Sequence, residues 1–327
     1  MTRTAYVTGS TGFLGVNIVH CLLDDGWRVL TLRRRTSNTR DLDKLDVTQV
    51  EGDVTDIESL RRTMPENVDA VFHVAADTGM WSKLNARQNR INIDGTRNVV
   101  RVALEKHAGR MIHTSSIGAF GSIHGPVINE ETPSQAPVCK INYYRSKYLA
   151  EQEVFNGIAQ GLDAVIMNPA QIVGPYDYNY TPLMIDTIKK GAMLGVPRGS
   201  SVLGHVRDYA RAHVVAYEKG RTGERYLLGG VHASFKEIFD TIGGIVGKKT
   251  PNMPLPPWLL STLAVVMERI SLITNREPLL SPEKVALLNQ PVRIDSSKAE
   301  RELGFSTCSL QEMFNDCYRW MQQADLA

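Results

Sequence analysis

Apolar residues in the first half of the chain fall in short dense runs, separated by longer stretches where they recur every three or four positions. The runs at 4–8, 28–33, 47–51, 70–74, 110–115 and 163–168 are rich in Val, Ile and Ala with little polar alternation. That pattern predicts strands covered on both faces. Between them, 13–24, 56–62, 87–107 and 143–160 carry the helical period. Such alternation implies right-handed crossovers and an α/β fold with a doubly wound parallel sheet, the Rossmann fold. Ligands of such sheets sit beyond the C-terminal ends of the strands.

After Gly174 the pattern breaks. Pro175, Pro182 and Pro197 punctuate it, and residues 251–257 read as an extended, proline-rich linker. Apolar helical stretches follow at 258–273 and 282–289, then an amphipathic helix at 310–323. This predicts a smaller, mainly helical lobe over 175–327, partly interleaved with a dinucleotide-binding domain over 1–174. The 258–273 stretch is interrupted by Glu268 and Arg269 and falls short of the ~18 apolar residues of a membrane span. It is expected to pack on the core, with pocket cover or a partner or membrane surface as the other options.

Composition excludes several classes. With 327 residues, 43% hydrophobic and 22% charged, the chain can bury a full core and is not disordered. The net charge is +2, and basic residues are dispersed apart from Arg33, Arg34 and Arg35, so no nucleic-acid partner is expected. Cys21, Cys139, Cys308 and Cys317 are far apart and form no C-x-x-C pair, which argues against a metal site or disulfide scaffold. No leader pattern opens the sequence. A cytoplasmic protein without a transmembrane segment is the expectation.

The candidate chemistry begins at the first strand–helix junction, T-G-x-x-G-x-x-G from Thr8. Gly9 would allow a tight turn, Gly12 a close approach of backbone to phosphate, and Gly15 close packing of helix on strand, with Phe13 and Leu14 opening the helix. Backbone N–H groups at such a junction suit a pyrophosphate. Arg33 and Arg34 follow the second strand, where an acidic residue would hold the ribose of NAD and arginine accommodates a 2′-phosphate. Each charge-assisted bond is worth roughly 1.5–3 kcal/mol, so NADP(H) is favoured over NAD, a solvated basic turn being the plainer alternative. Asp53 could accept from the adenine amino group or cap the helix near 56. The fourth strand ends in Ala75 and Ala76, leaving room for a flat cofactor. His73 and His113 read as packing residues.

Tyr143 and Lys147 stand four apart on one helix face. A cation beside a phenol favours the phenolate, and bringing a tyrosine from ~10 toward neutrality takes about 4 kcal/mol. Such a tyrosine would give a proton to a carbonyl oxygen or take one from an alcohol. A hydroxyl at the end of the fifth strand, Ser115 or Ser116, could hold the reacting oxygen. Alone, Y-x-x-x-K is common, and the serines could simply end a strand. The order of the four features along the chain is what carries weight.

That order resembles the extended short-chain dehydrogenase/reductases of the NAD-dependent epimerase/dehydratase superfamily, within them the dihydroflavonol-reductase and 3β-hydroxysteroid-dehydrogenase-like branch. The likeness rests on residues 8–15, 72–76, 92–96, 113–116, 143–147, 168–175, 206–208, 295–298 and 302–305. It implies Ser116 as the catalytic hydroxyl, Tyr143 as acid/base, and Lys147 as both tuner of the phenol and ligand of the nicotinamide ribose. It further implies Arg34 at the 2′-phosphate with Arg33 in place of an acidic residue, Asp53 and Val54 at adenine, and Ala75, Ala76 and Pro169 along the cofactor wall. Ile117 and Gly118 replace the acidic pair of the dehydratases, which disfavours elimination. The resulting expectation is an NADPH-dependent reductase of a hydrophobic aldehyde or ketone. A nucleotide-sugar epimerase and a non-catalytic NADP sensor are the rivals, and a homodimer is an option the resemblance leaves open. Residues 78–82 and 176–180, with Met184 and Met193, are candidate walls of an apolar substrate pocket.

Overall fold

The computed structural model describes residues 2–121, 127–288 and 291–326. Strand β1 (Thr4–Thr8) leads into helix α1 (Phe13–Asp24) and returns as β2 (Arg28–Arg33). Strand β3 (Thr48–Glu51), helix α2 (Ile57–Thr63) and β4 (Ala70–His73) follow. Helix α3 (Asn85–Asn89) runs through a wide π turn (Arg90–Asp94) into α4 (Gly95–Glu105), and β5 (Arg110–Thr114) comes next. Helix α5 (Asn142–Ile158) and β6 (Ala164–Pro169) complete this half. The predicted strands and helices of the first half are therefore present, with ends moved by up to two residues.

The second half holds more strand than its hydrophobic pattern suggested. Strand β7 (Gln171–Val173), α6 (Tyr180–Lys189), β8 (Ser200–His205), α7 (Val206–Lys219), β9 (Arg225–Leu228) and β10 (Val231–Ser234) precede α8 (Phe235–Val246). The chain ends in α9 (Pro257–Thr274), α10 (Pro282–Leu288), α11 (Ser297–Leu303) and α12 (Leu310–Gln323). Asn289, the last residue of the predicted 282–289 helix, lies outside the described residues.

Seven parallel strands form the main sheet in the order β3-β2-β1-β4-β5-β6-β9. Strand order reverses between β1 and β4, the switch point at which doubly wound sheets take ligands in the crevice beyond the C-terminal strand ends. One face of the sheet is covered by α1, α7 and α11, whose Leu14, Ile18, Ala210, Val214 and Leu303 share a core with Val7 and Phe72. The other face is covered by α2, α4 and α5 through Leu60, Val99, Val102 and Val154. Burying both faces is why the strands show no polar alternation. A second sheet, β10-β8-β7, packs with α6, α8 and α12 around Ile185, Phe239, Ile242 and Phe314. Helices α8 and α12 each begin in a capping box, Ser234 with Glu237 and Ser309 with Glu312.

Candidate active site

The β1–α1 junction is shaped by its glycines. Gly9 has φ of +71°, and a Cβ there would lie 2.5 Å from the backbone nitrogen of Ala75. A Cβ on Gly15 would lie 2.1 Å from the Gly9 carbonyl oxygen. Helix α1 thus rests directly against the turn, at a distance no other residue permits. Gly12 precedes Phe13 and Leu14 at the helix start and is exposed, and no side chain caps the helix. Its first N–H groups are left to a ligand or water. The end of β4 lies alongside: Ala75 donates its N–H to the Thr8 hydroxyl at 3.3 Å.

At the end of β2, Arg33 donates to Glu51 at 3.3 Å, while its Nε is buried without a partner. Glu51, a carboxylate the sequence reading did not foresee, is 55% exposed and can swing into water. Arg34 is exposed and forms no ion pair among the described residues. Asp53 takes the N–H and hydroxyl of Thr55 on one oxygen, both at 2.8 Å, and does not cap α2. Asp56 does that through the N–H groups of Glu58 and Ser59. Val54 is buried beside Gly95.

Helix α5 carries the densest chemistry. The Tyr143 ring keeps some exposed surface while its hydroxyl is enclosed beside that of Ser116. Burial pushes the phenol above its usual range, and the Ser116 hydroxyl pulls the other way. One turn on, Lys147 is buried and donates to the Thr114 carbonyl at 2.9 Å. Burial lowers its ammonium to about 8, opposed by Glu151 a further turn along. The Thr114 carbonyl takes one of the three ammonium donors, and the neighbouring hydroxyl that favours the phenolate is that of Ser116.

The two serines at the end of β5 part company. Ser115 is buried and donates to Glu151 at 2.5 Å, whereas Ser116 stands at the crevice, its Oγ accepting from the Gly118 N–H at 3.0 Å. Asn168 on β6 donates to the Ser116 carbonyl at 3.0 Å and to Glu151 at 2.7 Å, and Arg225 on β9 donates to the other Glu151 oxygen at 2.9 Å. This buried network, which locks α5 to three strands, was missed in the sequence. Its one signal was Glu151 falling four residues after Lys147. Gly118 is also explained: a Cβ there would lie 2.6 Å from the Tyr144 ring.

Another network holds the start of α5. Asn92, in the π turn, donates to Ser146 at 2.9 Å, and Ser146 donates to the Tyr143 carbonyl at 2.8 Å. Asn92 also grips both backbone groups of Asp77, while Gln88 donates to the Gly79 carbonyl. A wide turn inside a helix is a frequent mark of a functional segment, and here it points a buried amide at α5. His73 is bonded by Thr8 and Thr96 at 2.8 and 2.9 Å, and burial lowers its imidazole to about 3. Burial likewise holds His113 well below the usual range, so both rings are neutral packing groups.

The candidate substrate walls divide. Tyr180 lies near enough to Tyr143 to influence its phenol, and Trp81 is buried with its indole nitrogen unpartnered. Tyr176 and Tyr178 instead pack on Trp320 of α12. Tyr176 lines a separate cavity of about 740 Å³ between α1, α7 and α12, away from Tyr143. Met184 and Met193 join the core around the second sheet. These four residues are not brought to the crevice, because the aromatic pairs follow α12 and not α5.

Residues 5–229 match the NAD dependent epimerase/dehydratase family. The chain belongs to that family. A Synechocystis sp. protein named "Putative dihydroflavonol 4-reductase" is 34% identical, over 98% of this chain and 95% of its own. "Sterol demethylase protein B" of Methylococcus capsulatus is 32% identical over 98% of each chain. The crystal structure of gox2253 superposes with a TM-score of 0.86 at 32% identity, over 99% of both chains. This family member is an extended short-chain dehydrogenase/reductase and an NAD(P)-dependent oxidoreductase.

Proposed function

We propose that this oxidoreductase uses NADPH to reduce a hydrophobic aldehyde or ketone to an alcohol. Tyr143 donates the proton, and Ser116 holds the carbonyl oxygen. The observation that carries the reading is the enclosed Tyr143 phenol beside the Ser116 hydroxyl, with Lys147 buried one turn behind it. A phenol raised by burial remains protonated at neutral pH, which is the form a proton donor needs. Ser115 is taken by Glu151, leaving Ser116 as the hydroxyl available to substrate.

The residues present suit the dinucleotide. The uncapped start of α1 and the turn at Gly9, Gly12 and Gly15 would hold the pyrophosphate, with Phe13 and Leu14 offering their N–H groups. Asp53 and Val54 would flank adenine, and Ala75, Ala76 and Pro169 would line the wall beside the nicotinamide. Lys147 has three donors, of which the Thr114 carbonyl takes one, so its remaining N–H groups would reach the ribose diol. When bound, NADPH supplies the hydride that the carbonyl carbon accepts. Tyr143 completes the alcohol by passing its proton to the oxygen that Ser116 has fixed in place.

The orphaned Arg33 Nε and the exposed Arg34 support a 2′-phosphate there. The substitution Arg34→Glu is expected to weaken NADPH binding by on the order of tenfold or more relative to NADH, measured by titrating both. Equal effects on both would remove the phosphate contact. The unpaired thiols of Cys21, Cys308 and Cys317 support a reducing, cytoplasmic setting. The lobe within 175–327, interleaved with the dinucleotide-binding domain through α7, β9 and α11, is the part we assign to substrate.

Mixing the enzyme with NADPH and a broad panel of aldehydes and ketones, while following nicotinamide absorbance, tests the reading. Steady oxidation with at least one apolar carbonyl is expected. Tight NADPH binding without oxidation, or interconversion of a nucleotide sugar without net oxidation, would overturn it.

A further inference from the structure

Helix α9 is built the wrong way round for a surface helix. Of its 18 residues, Leu260, Ala264 and Ser271 are buried. This corrects the expectation that the stretch packs on the core. The opposite, wider face presents Trp258, Leu259, Leu263, Val265, Val266, Ile270, Leu272 and Ile273 to solvent, Trp258 at 68% and Ile273 at 87% exposure. An ordinary amphipathic helix turns its apolar stripe inward and its charges outward. Exposed apolar surface this extensive marks an interaction site.

The charges identify the partner. The one carboxylate within α9, Glu268, is turned toward the body and accepts from the Ser82 hydroxyl at 2.9 Å. Arg269 stands outward among the apolar residues, and Arg276, just past the helix, is also exposed, next to Glu277, whose carboxylate is paired with Lys284. Lys248 and Lys249 are exposed a few residues before the helix. Exposed Leu194 and Met253 extend the apolar surface, because the Val196 N–H donates to the Met253 carbonyl at 3.0 Å and places those loops side by side. Exposed Leu279 continues it beyond the other end.

We infer that the outward face of α9 docks the protein on a bilayer containing anionic lipids, the helix lying in the interface and not crossing it. A long, apolar helix with a tryptophan near its start suits the headgroup–acyl boundary, where Arg269 extends its charged end from among the apolar side chains to lipid phosphates. The inward face is fixed to the fold by Leu260 and Ala264 against Val285, and by Glu268 on Ser82. That anchoring leaves the helix on the surface of the bilayer. A second copy of the chain fits less well. Two such faces meeting would bury Arg269 among apolar side chains, the exposed carboxylate past the helix end, Glu277, being paired with Lys284. The C-terminal end of α9 and the loop after it adjoin residues 80–84, since Lys83 donates to Asn275 and Ser281 to the Met80 carbonyl.

Sedimentation of the full chain with sucrose-loaded vesicles tests this, comparing an equal mixture of phosphatidylcholine and phosphatidylglycerol with phosphatidylcholine alone. The double substitution Ile270→Asp with Ile273→Asp is expected to weaken binding to the anionic vesicles by about tenfold or more, and Arg269→Glu by several-fold. Both variants should retain wild-type circular dichroism and NADPH binding, because these side chains point away from the fold. No sedimentation of the wild type with anionic vesicles would overturn the inference. So would equal binding to both vesicle types, or binding unaffected by the double substitution. A concentration-dependent dimer in lipid-free buffer that the double variant dissolves, without vesicle binding by the wild type, would assign the face to a second copy instead.

Discussion

Helices α5 and α9 are of nearly equal length, 17 and 18 residues, and both break the usual rule for which side chains face inward. Helix α5 buries Asn142, Ser146, Lys147 and Glu151 under a crevice. Helix α9 exposes a tryptophan, three leucines, two valines and two isoleucines, while its single carboxylate turns inward. In α5 the inversion is affordable because each buried polar group has a partner: Gln88 and Asn89 for Asn142, Thr114 for Lys147, and Ser115, Asn168 and Arg225 for Glu151. In α9 nothing within the described residues compensates for the exposed apolar surface. One helix departs from the rule to assemble chemistry, and the other to meet something outside the molecule. A satisfied polar interior and an unsatisfied apolar exterior are thus different kinds of functional mark.

If the α5 interior depends on complete pairing, removing one member should cost far more than a surface change. The largest effect is expected for Glu151→Ala, which leaves Arg225 and Asn168 without their carboxylate. Breaking a buried pair costs about 3–5 kcal/mol, to be read from urea unfolding. A loss under about 1 kcal/mol would mean that the network is incidental.

A smaller effect concerns pH. Lys147 sits at about 8, lowered by burial and supported by Glu151. Its ammonium loses its proton as pH rises through that value, so kcat/KM should fall on the alkaline side near there. Glu151→Gln removes the carboxylate that favours the ammonium, and the alkaline limb should move to lower pH. A limb that stays in place would detach Lys147 from the profile. The smallest effect is expected on α9: Ile273→Ser should change unfolding free energy by no more than about 0.5 kcal/mol, because that residue is 87% exposed. A larger loss would place α9 in the core and erase the contrast.

The two helices also differ in how far sequence alone revealed them. The strands of the first half were legible because both their faces are buried, which leaves nearly uninterrupted apolar runs. Gly9, Gly12, Gly15, Ser116, Tyr143 and Lys147 were legible because chemistry constrains their spacing. Strands β8, β9 and β10 were not, since they are short and a mixed sheet gives no uniform apolar run. Asn92, Asn168 and Arg225 reach α5 across long sequence separations, which no local pattern records. The outward turn of α9 was invisible for a related reason. A strongly apolar helix reads the same whether a core or a bilayer covers it, and only its contacts decide.

In the proposed reduction the Tyr143 hydroxyl delivers the proton. The direct measurement is turnover of Tyr143→Phe at saturating NADPH with whichever carbonyl the wild type reduces, alongside NADPH affinity. A loss on the order of a hundredfold or more is predicted, as for removal of a general acid, with cofactor binding nearly unchanged. Turnover within a few-fold of the wild type would contradict the account.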